Sequence, residues 1–373
     1  MYAHGQTVVQ LVEKLAPKAL AMEGDEARIG LQVGTLQKEV RRVMVALDVL
    51  EPVVDEAIAK NVDLIIAHHA VIFRPIRHVR TDLPQGRLLE KCIKHDIAVY
   101  VVHTNLDVAG GGLNDWLAEE LGLQKTEVLI ALQREKLKKI VVFIPVDHVE
   151  VVMNAMAEAG AGWIGNYSHC TFQIPGTGTF MPREGTNPFI GRQGALERVA
   201  EVRLETIVPA SIQSRVIRAM IEAHPYEEVA YDVYPLEQEG AVSGLGRKGE
   251  LPEPMTLEAF ARRVKETFGL QGLRYVGPPE KPVKKVGIIG GDGNSFIARA
   301  ATCGIDVLVT GDVYYHTAHE AMAAGLALVD PGHHVEQVMK RRLAHYLQQS
   351  LAPTYPGTEV LASDISTDPF SFL

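Results

Sequence analysis

Short apolar runs alternate with helix-like periods at both ends of this chain. Near the start, the pattern predicts strands at 43–48, 64–67 and 97–102 and amphipathic helices at 7–16, 51–60, 87–95 and 116–121. Near the end, it predicts strands at 285–289, 305–310 and 326–329 and helices at 256–268, 296–303 and 318–323. Such alternation is typical of parallel βαβ units, so we predict an α/β fold for both ends.

The two ends also share a layout. Near the start, Val-Asp-Leu-Ile-Ile at 62–66 is followed by a polar strand end, a helix, and a strand that leads to His103 and Asp107. Near the end, Ile-Asp-Val-Leu-Val at 305–309 is followed by the same series, which leads to His333 and Glu336. We interpret this as an internal duplication: two similar α/β halves, 1–127 and 246–373, that form one metal-binding domain.

The middle of the chain has a different pattern. It predicts a strand at 138–144, a helix at 149–159, a Gly/Pro/Thr-rich region at 170–191, a strand at 202–208, a helix at 211–223 and a closing run at 224–235. The order strand, helix, strands, helix, strand is that of a ferredoxin-like α+β domain. We therefore predict an insert domain at 128–245 that interrupts the two halves, with 237–244 as the linker that leads out.

Composition narrows the class of protein. A chain of 373 residues is long enough for two or three domains, and a net charge of -9 without a Lys/Arg run argues against a nucleic-acid partner. Three scattered cysteines match no metal or redox pattern and suit a reducing compartment. We find no signal-peptide pattern and no apolar stretch long enough to cross a membrane, so we expect a cytoplasmic protein without a membrane partner.

The first candidate for chemistry is a pair of adjacent histidines, His68 and His69, directly after the strand predicted at 64–67. Neighbouring side chains of a strand point to opposite faces, so two adjacent ligands of one site need a strand end. In open α/β sheets, ligands bind at the carboxyl ends of the strands. The alternative is one packed and one exposed histidine with no common role.

Two further clusters follow strand ends: Asp107 with His103 nearby, and His333 with Glu336 three residues later on one face of a helix start. Histidine with carboxylate favours Zn, Fe or Mn over Mg or Ca. Three histidines and two carboxylates exceed the ligands of one catalytic metal and suit two metals bridged by a carboxylate. Each cluster alone could equally be structural, so the metal hypothesis depends on their joint occurrence.

Four other features allow two interpretations each. The run Gly290-Gly-Asp-Gly293 could bind phosphate at a helix start, but a tight turn is favoured because the third glycine of the dinucleotide fingerprint is missing. Asp312 and His316 could line the same cavity as the histidine pair, or Asp312 could cap a helix. Arg74 could hold an anionic substrate or pair with a surface carboxylate. We expect His224 to be a packed turn residue rather than a ligand.

Three motifs together resemble a known family. They are Ala67-His-His-Ala-Val-Ile-Phe-Arg-Pro75, Val102-His-Thr-Asn-Leu-Asp107 and Asp330-Pro-Gly-His-His-Val-Glu336. They are similar to the signatures of the GTP cyclohydrolase I type 2 homologues, also called dinuclear metal-centre or NGG-one interacting factor three-like proteins. The middle segment resembles the insert of the long bacterial members, a domain similar to CutA and the P-two nitrogen regulators. That similarity lies at 176–178, 184–191 and 224–229.

The resemblance implies a site and an assembly. The site would hold two divalent metal ions per subunit, with His68, His69, Asp107, His333 and Glu336 as ligands. His333 and His334 are adjacent, so either could be the ligand, and we favour His333. His103 would either orient a ligand or carry a proton, or would be structural. The assembly would be a toroidal homohexamer with its sites facing an internal cavity.

The resemblance also implies an activity. We expect a metal-dependent hydrolase that acts on a nucleotide-like small molecule, and the family name points to GTP, with ring opening and release of formate. The alternative is a metallochaperone, or another metal-handling or regulatory protein, without turnover. The insert could in addition be a trimeric module that senses a ligand or gates the site.

Overall fold

The structure, a computed structural model, describes residues 1–373 and divides the chain into two compact units. The first unit comprises Met1–Leu132 and Ser243–Leu373, and the second comprises Gln133–Val242. The chain has a mixed α/β fold with several sheets. No helix in it is long and apolar enough to span a membrane.

The strands are β1 (Ala3–His4), β2 (Gly30–Val33), β3 (Glu39–Val40), β4 (Arg42–Ala46), β5 (Leu64–Ala67), β6 (Ala98–Val101), β7 (Gln124–Pro145), β8 (Thr171–Phe180), β9 (Glu197–Pro209), β10 (Tyr231–Thr256), β11 (Arg274–Val276), β12 (Pro282–Asp292), β13 (Val307–Gly311), β14 (Ala327–Asp330) and β15 (Glu359–Ala362). The helices are α1 (Gly5–Leu15), α2 (Glu51–Ala59), α3 (Pro84–Lys94), α4 (Thr104–Val108), α5 (Leu113–Glu120), α6 (Val149–Glu158), α7 (Gln213–Ala223), α8 (Leu257–Thr267), α9 (Ile297–Ala300), α10 (Tyr315–Ala323) and α11 (Val338–Leu351).

The first unit contains a five-stranded sheet in the order β15-β4-β5-β6-β2. Strands β15, β4, β5 and β6 are parallel, and β2 is antiparallel to β6. Every residue of β5 and β6 is buried, as expected for strands covered on both faces. Ala46, Ala67 and Val101 lie level in the register, so the segments that follow β4, β5 and β6 leave the sheet at one edge.

The first unit also contains the parallel strands β12, β13 and β14, with β11 antiparallel to β14 and β10 antiparallel to β12. All six parallel strands predicted from apolar runs in the two ends of the chain are thus confirmed. In each sheet three parallel strands stand in chain order, and an antiparallel strand flanks the third.

One hydrophobic core joins the two ends of the chain. It contains Val43 and Leu64 from the first sheet and Val286 and Val307 from the second, all fully buried. Leu117 of α5 lies in the same core, as do the apolar positions of α11. Burying such side chains contributes about 1.5–3 kcal/mol each relative to exposure, so the two ends are stabilised as one body.

The second unit contains β7 from Gln133 onward, α6, β8, β9, α7 and β10 as far as Val242, in chain order. Strand β9 lies between β7 and β8 and is antiparallel to both, and β10 lies on the other side of β7. Helices α6 and α7 pack on this sheet through a separate core that includes Val152, Met156, Val216 and Met220.

Several elements differ from the sequence predictions, three of them in ways that bear on the fold. The predicted linker at 237–244 does contain the boundary between the two units, at Val242 and Ser243, but its residues lie inside β10 instead of in a loop. A Cβ on Gly244 would lie 2.1 Å from the Ile130 carbonyl oxygen, so this glycine permits close approach of two backbones instead of marking a flexible connection. Strand β15, which extends the first sheet, was not predicted, and α5 begins at Leu113, before the predicted start at 116.

Candidate metal centre

Strand ends bring the predicted site residues together. His68 and His69 directly follow β5, and His103 comes two residues after β6 at the same sheet edge. Glu336 lies with His333 on a short 3-10 helix, His333–Gln337, that follows β14. The backbone leaves its extended conformation at each of these points, so side chains from several elements can face one space.

Glu336 is the centre of this cluster. Its side chain is buried, and its Oε2 atom lies 3.1 Å from His69 Nε2, 3.3 Å from His333 Nε2 and 3.7 Å from His68 Nε2. Burial alone would raise the pKa of Glu336, but the three histidines outweigh it and hold that pKa well below its usual range. Glu336 is therefore an ionised carboxylate shared by three imidazole rings.

Asp107, in α4, completes the buried side of the cluster. Its Oδ1 atom lies 3.5 Å from His68 Nε2. Burial raises the pKa of Asp107, and nearby Glu336 adds to that rise by repulsion, although His68 opposes it. Because Asp107 is shielded from water, its ionised form needs a positively charged neighbour to be stable.

Four histidines of the cluster have the same arrangement of ring nitrogens. Their Nδ1 atoms donate to the Val102 carbonyl at 2.9 Å (His68) and to Asp48, Asp25 and Asp312 at 2.7 Å each (His69, His103 and His333). A carbonyl can only accept, which fixes the tautomer of His68. Each ring then directs Nε2 toward the cluster, where this nitrogen can bind a cation once any proton on it has been displaced. An acceptor on one ring nitrogen, with the other nitrogen directed at the site, is typical of metal-binding histidines.

Two buried side-chain atoms of the cluster lack any hydrogen-bond partner: His68 Nε2 and Asp107 Oδ1. An unpaired buried polar atom costs about 1–3 kcal/mol, so such atoms call for an explanation. A cation between the imidazole nitrogen and the carboxylate oxygen would satisfy both. The donor set, nitrogen and oxygen without sulfur, fits a divalent transition metal.

Three groups of ligand atoms could hold a metal ion. They are His68 with His69 and His103, His69 with His333 and Glu336, and His68 with Asp107 and Glu336; within each group all ligand atoms lie within 4.8 Å of one another. The groups overlap in His68, His69 and Glu336, so the ligands form one continuous centre.

Protons stabilise the cluster when no cation is present. Burial disfavours the charged form of His69, but hydrogen bonds to Asp48 and Glu336 outweigh it and raise the pKa of His69 to about 10. The hydrogen bond to Glu336 is the main reason why the pKa of His333 is raised to about 9. Metal binding must displace such protons, so it is coupled to pH.

A family model described as Duf34/NIF3 (NGG1p interacting factor 3) matches residues 3–369. The chain belongs to this family. A GTP cyclohydrolase 1 type 2 homolog of Halalkalibacterium halodurans is 53% identical over 371 residues, which cover 100% of this chain and 99% of the relative. A protein of the same name from Bacillus subtilis is 54% identical and matches over 99% of each chain. The crystal structure of a Bacillus cereus protein related to NIF3 is similar with a TM-score of 0.95 and 54% identity over 100% of both chains. The resemblance found in the motifs is confirmed.

The structure places the remaining candidates of this NIF3-family chain as follows. His334 lies outside the three ligand groups, with Nε2 3.4 Å from the Ser366 hydroxyl, whereas the adjacent His333 lies within one. Asp312 reaches the cluster through His333 and does not face it directly. His316 belongs to α10 and to none of the groups, and Arg74 is an exposed side chain.

The glycine run and His224 have structural roles. The tight-turn prediction is wrong, because Gly290, Gly291 and Asp292 are the last residues of β12, where the register with β13 is irregular. Gly291 has a φ of 60°, and a Cβ there would lie 2.6 Å from Glu336 Oε1, so this glycine makes room for the carboxylate. His224 is buried in the second unit, where its Nε2 donates to the Phe143 carbonyl at 3.0 Å, so the packed-turn prediction for this residue is confirmed.

Sequence reasoning missed two carboxylates that orient histidines, Asp48 and Asp25. Asp48 lies two residues after β4, beside β5, so the strand-end rule could have found it. Asp25 lies in a connection before β2, far from His103 in sequence, and no local pattern marks it. Hydrogen bonds from the histidines hold the pKa values of Asp48 and Asp25 below their usual range, although burial opposes this, so both are ionised acceptors.

The cluster lies in the wall of a cavity of about 980 Å³ within the first unit. Its acidic lining residues are Asp48, Asp107, Asp292, Asp312, Glu336 and Asp368. Neither lysine nor arginine lines it, and an apolar side is formed by Leu50, Phe73, Leu245, Ile289, Phe370 and Phe372. The lining of the cavity is therefore acidic around the cluster and apolar elsewhere.

Proposed function

We propose that this NIF3-family chain is a dinuclear metal-dependent hydrolase that acts on a nucleotide-like small molecule. One observation carries the proposal: Glu336 Oε2 belongs to two ligand groups at once, with His69 and His333 on one side and His68 and Asp107 on the other. These five residues would hold two ions of the Zn, Fe or Mn class, with Glu336 between them. When bound, such a pair lowers the pKa of water and supplies a nucleophile at neutral pH.

The residues around the ligands would orient them. Asp48 and Asp312 hold the rings of His69 and His333 through Nδ1, which fixes the direction of each Nε2. The Val102 carbonyl does the same for His68. Since these hydrogen bonds exist before any cation arrives, little reorganisation accompanies binding.

His103 is the residue we assign to proton transfer. Its Nδ1 donates to Asp25, its ring lies 5.3 Å from that of His68 between centroids, and its side chain lines the cavity. It can therefore take a proton beside the cluster and pass it to a leaving group on the cavity side. A role as a further ligand is its alternative, since His103 shares a ligand group with His68 and His69.

The charges that line the cavity limit which part of a substrate can bind there. Two divalent ions bring four positive charges, fewer than the six carboxylates that line the cavity. A triphosphate would find no lysine or arginine partner there. We therefore propose that the uncharged, base-bearing part of the substrate lies in the cavity against the apolar wall, and that ring opening occurs on this part.

The assembly and the domain architecture belong to the same proposal. We propose a toroidal homohexamer with the metal centres facing its internal cavity. The equal strand arrangement of the two sheets in the first unit supports a duplication of two α/β halves. The order of strands and helices in the second unit supports a ferredoxin-like insert. Sedimentation equilibrium of the full chain should give six times the 40.8 kDa of one chain, and a monomer or dimer would contradict the hexamer.

The hydrolase proposal is tested by turnover. Metal-loaded protein is incubated with guanosine and, separately, with GTP, and released formate is measured. We expect formate with the wild type and with His334→Ala, whose ring lies outside the ligand groups, and none with His68→Ala/His69→Ala. Turnover no higher than that of the double variant would contradict the proposed reaction.

A metal-handling role without turnover is the second candidate. It is favoured by the carboxylates beside the cluster: Asp25, Asp48 and Asp312 are each engaged by a histidine, so none is free to act as a base. This candidate predicts rapid release of metal to a chelator of moderate affinity and no formate from either probe. Slow release with turnover would support the hydrolase instead.

A further inference from the structure

Three sequence segments of the second unit that the metal centre does not use line one cavity. They are Gly176-Thr-Gly178, the stretch from Thr186 to Ile190, and Tyr226-Glu-Glu228. The cavity has a volume of about 670 Å³, which is in the range of small-molecule sites. Its walls lie entirely within this unit, so the cavity contains no residue of the metal centre.

The walls of the cavity are mainly apolar and aromatic. The rings of Phe180 and Phe189 flank that of Tyr226, with centroid separations of 5.7 Å and 6.3 Å. Phe189 remains 54% exposed, although it is a large aromatic side chain. Phe143 and Ile174 extend the same wall.

One buried carboxylate, Glu201 of β9, lies in this apolar wall. The residue is only 8% exposed, and its Oε1 atom accepts a hydrogen bond from the Tyr226 hydroxyl at 2.9 Å. No lysine, arginine or histidine forms an ion pair with it, and the adjacent Arg203 pairs with Glu205 at 2.8 Å instead. Buried carboxylates are normally paired with a cation, so Glu201 lacks the partner that its position calls for.

Gly178 shapes the space around that carboxylate. A Cβ at this position would lie 2.0 Å from Glu201 Oε2, so any other residue would displace the carboxylate from its place in the cavity wall. The glycine of this segment is therefore required by the position of Glu201.

We propose that this cavity binds an organic ammonium cation with apolar substituents. Aromatic faces attract cations, and the attraction grows when the cation leaves water. Glu201 would supply the opposite charge, Tyr226 would hold the carboxylate in place, and the apolar walls would cover the carbon substituents. Glu227 and Glu228 line the cavity as well, so its carboxylates outnumber its two arginines, Arg183 and Arg203, of which Arg203 is already paired. The proposal does not depend on the function of the metal centre.

The test compares a cation with a neutral molecule of the same shape. Choline and 3,3-dimethylbutan-1-ol are titrated into the metal-loaded full chain by isothermal titration calorimetry. We expect choline to bind at least about fivefold more tightly than the alcohol, the size expected for one cation–π contact with an opposite charge nearby. Glu201→Gln keeps an acceptor for the Tyr226 hydroxyl and should weaken choline binding at least about tenfold, without affecting the alcohol. Glu222→Gln, an exposed glutamate of α7 with the same change in charge, should have no effect.

Three results would overturn the proposal. Equal affinity for choline and the alcohol would show that the cavity selects only for apolar shape. Unchanged choline binding in Glu201→Gln, with the thermal midpoint of that variant preserved, would place the cation elsewhere, such as among the carboxylates of the metal cavity. Failure of both probes to bind, together with a smaller assembly for Phe189→Ser in sedimentation, would show that a second copy of the chain covers this wall.

Discussion

Replacing Asp48 by asparagine tests how the candidate centre orients its ligands. Asp48 Oδ1 accepts the Nδ1 hydrogen of His69 at 2.7 Å, and the Thr367 hydroxyl donates to Oδ2. Asparagine keeps the shape and one acceptor but removes the negative charge. Loss of such a partner typically weakens metal binding 10- to 100-fold, which corresponds to about 1.4–2.7 kcal/mol. We therefore expect Asp48→Asn to weaken the ligand group of His69, His333 and Glu336 by this factor.

The assay is competition with a chromophoric zinc chelator, which reports the two binding constants of each variant. The site that contains His68 should change less, because the Val102 carbonyl, not a carboxylate, holds that ring. Asp82→Asn provides a control, since Asp82 is exposed and pairs with Arg80 away from the cluster. Wild-type affinity in Asp48→Asn, or the same loss in both variants, would refute the assigned orienting role.

Three further predictions concern the centre and its cavity. Gly291→Ala should lose bound metal, because its Cβ would lie 2.6 Å from Glu336 Oε1, whereas Gly304→Ala, at a similar φ of 71° with nothing within 4 Å, should cost only about 1 kcal/mol and keep its metal. The thermal midpoint of metal-stripped protein should fall as pH rises through about 9 and 10. The reason is that His333 and His69 have raised pKa values in the folded protein, so their protonation contributes stability that is fully present below pH 6.5 and lost above those values. Metal-loaded protein should not show this fall. In calorimetry at low ionic strength, guanosine should bind at least about tenfold more tightly than GTP, with a difference that shrinks as salt is added; GTP binding as tight as guanosine would contradict the charge argument.

The parallel strands of the first unit could be predicted because burial on both faces makes them continuous apolar runs. Leu64–Ala67, for example, has the predicted bounds. Strand β15 could not be found in the same way, since it lies at the edge of its sheet with no fully buried residue. The strand that runs through the predicted linker was missed for a related reason. Gly240 and Gly244 permit close approach of neighbouring backbones in β10, and composition does not distinguish such glycines from those of a flexible loop.

The positions of the candidate ligands were more predictable than the residues that orient them. His68, His69 and His103 share a sheet edge because parallel strands end level, so the positions of those residues follow from the strand pattern. The hydrogen-bond acceptors of the histidine rings depend on tertiary packing instead. Asp25 meets His103 across 78 positions of sequence, and only the fold brings them within 2.7 Å.

Metal content tests the central claim of a shared two-metal centre most directly. Purified full chain is loaded with zinc, dialysed and analysed by plasma emission spectrometry, beside Glu336→Gln and His334→Ala. We predict two ions per chain for the wild type and for His334→Ala, and at most one for Glu336→Gln, because Glu336 Oε2 lies within 3.7 Å of all three histidine nitrogens. One ion or none in the wild type, or two ions in Glu336→Gln, would contradict the centre described here.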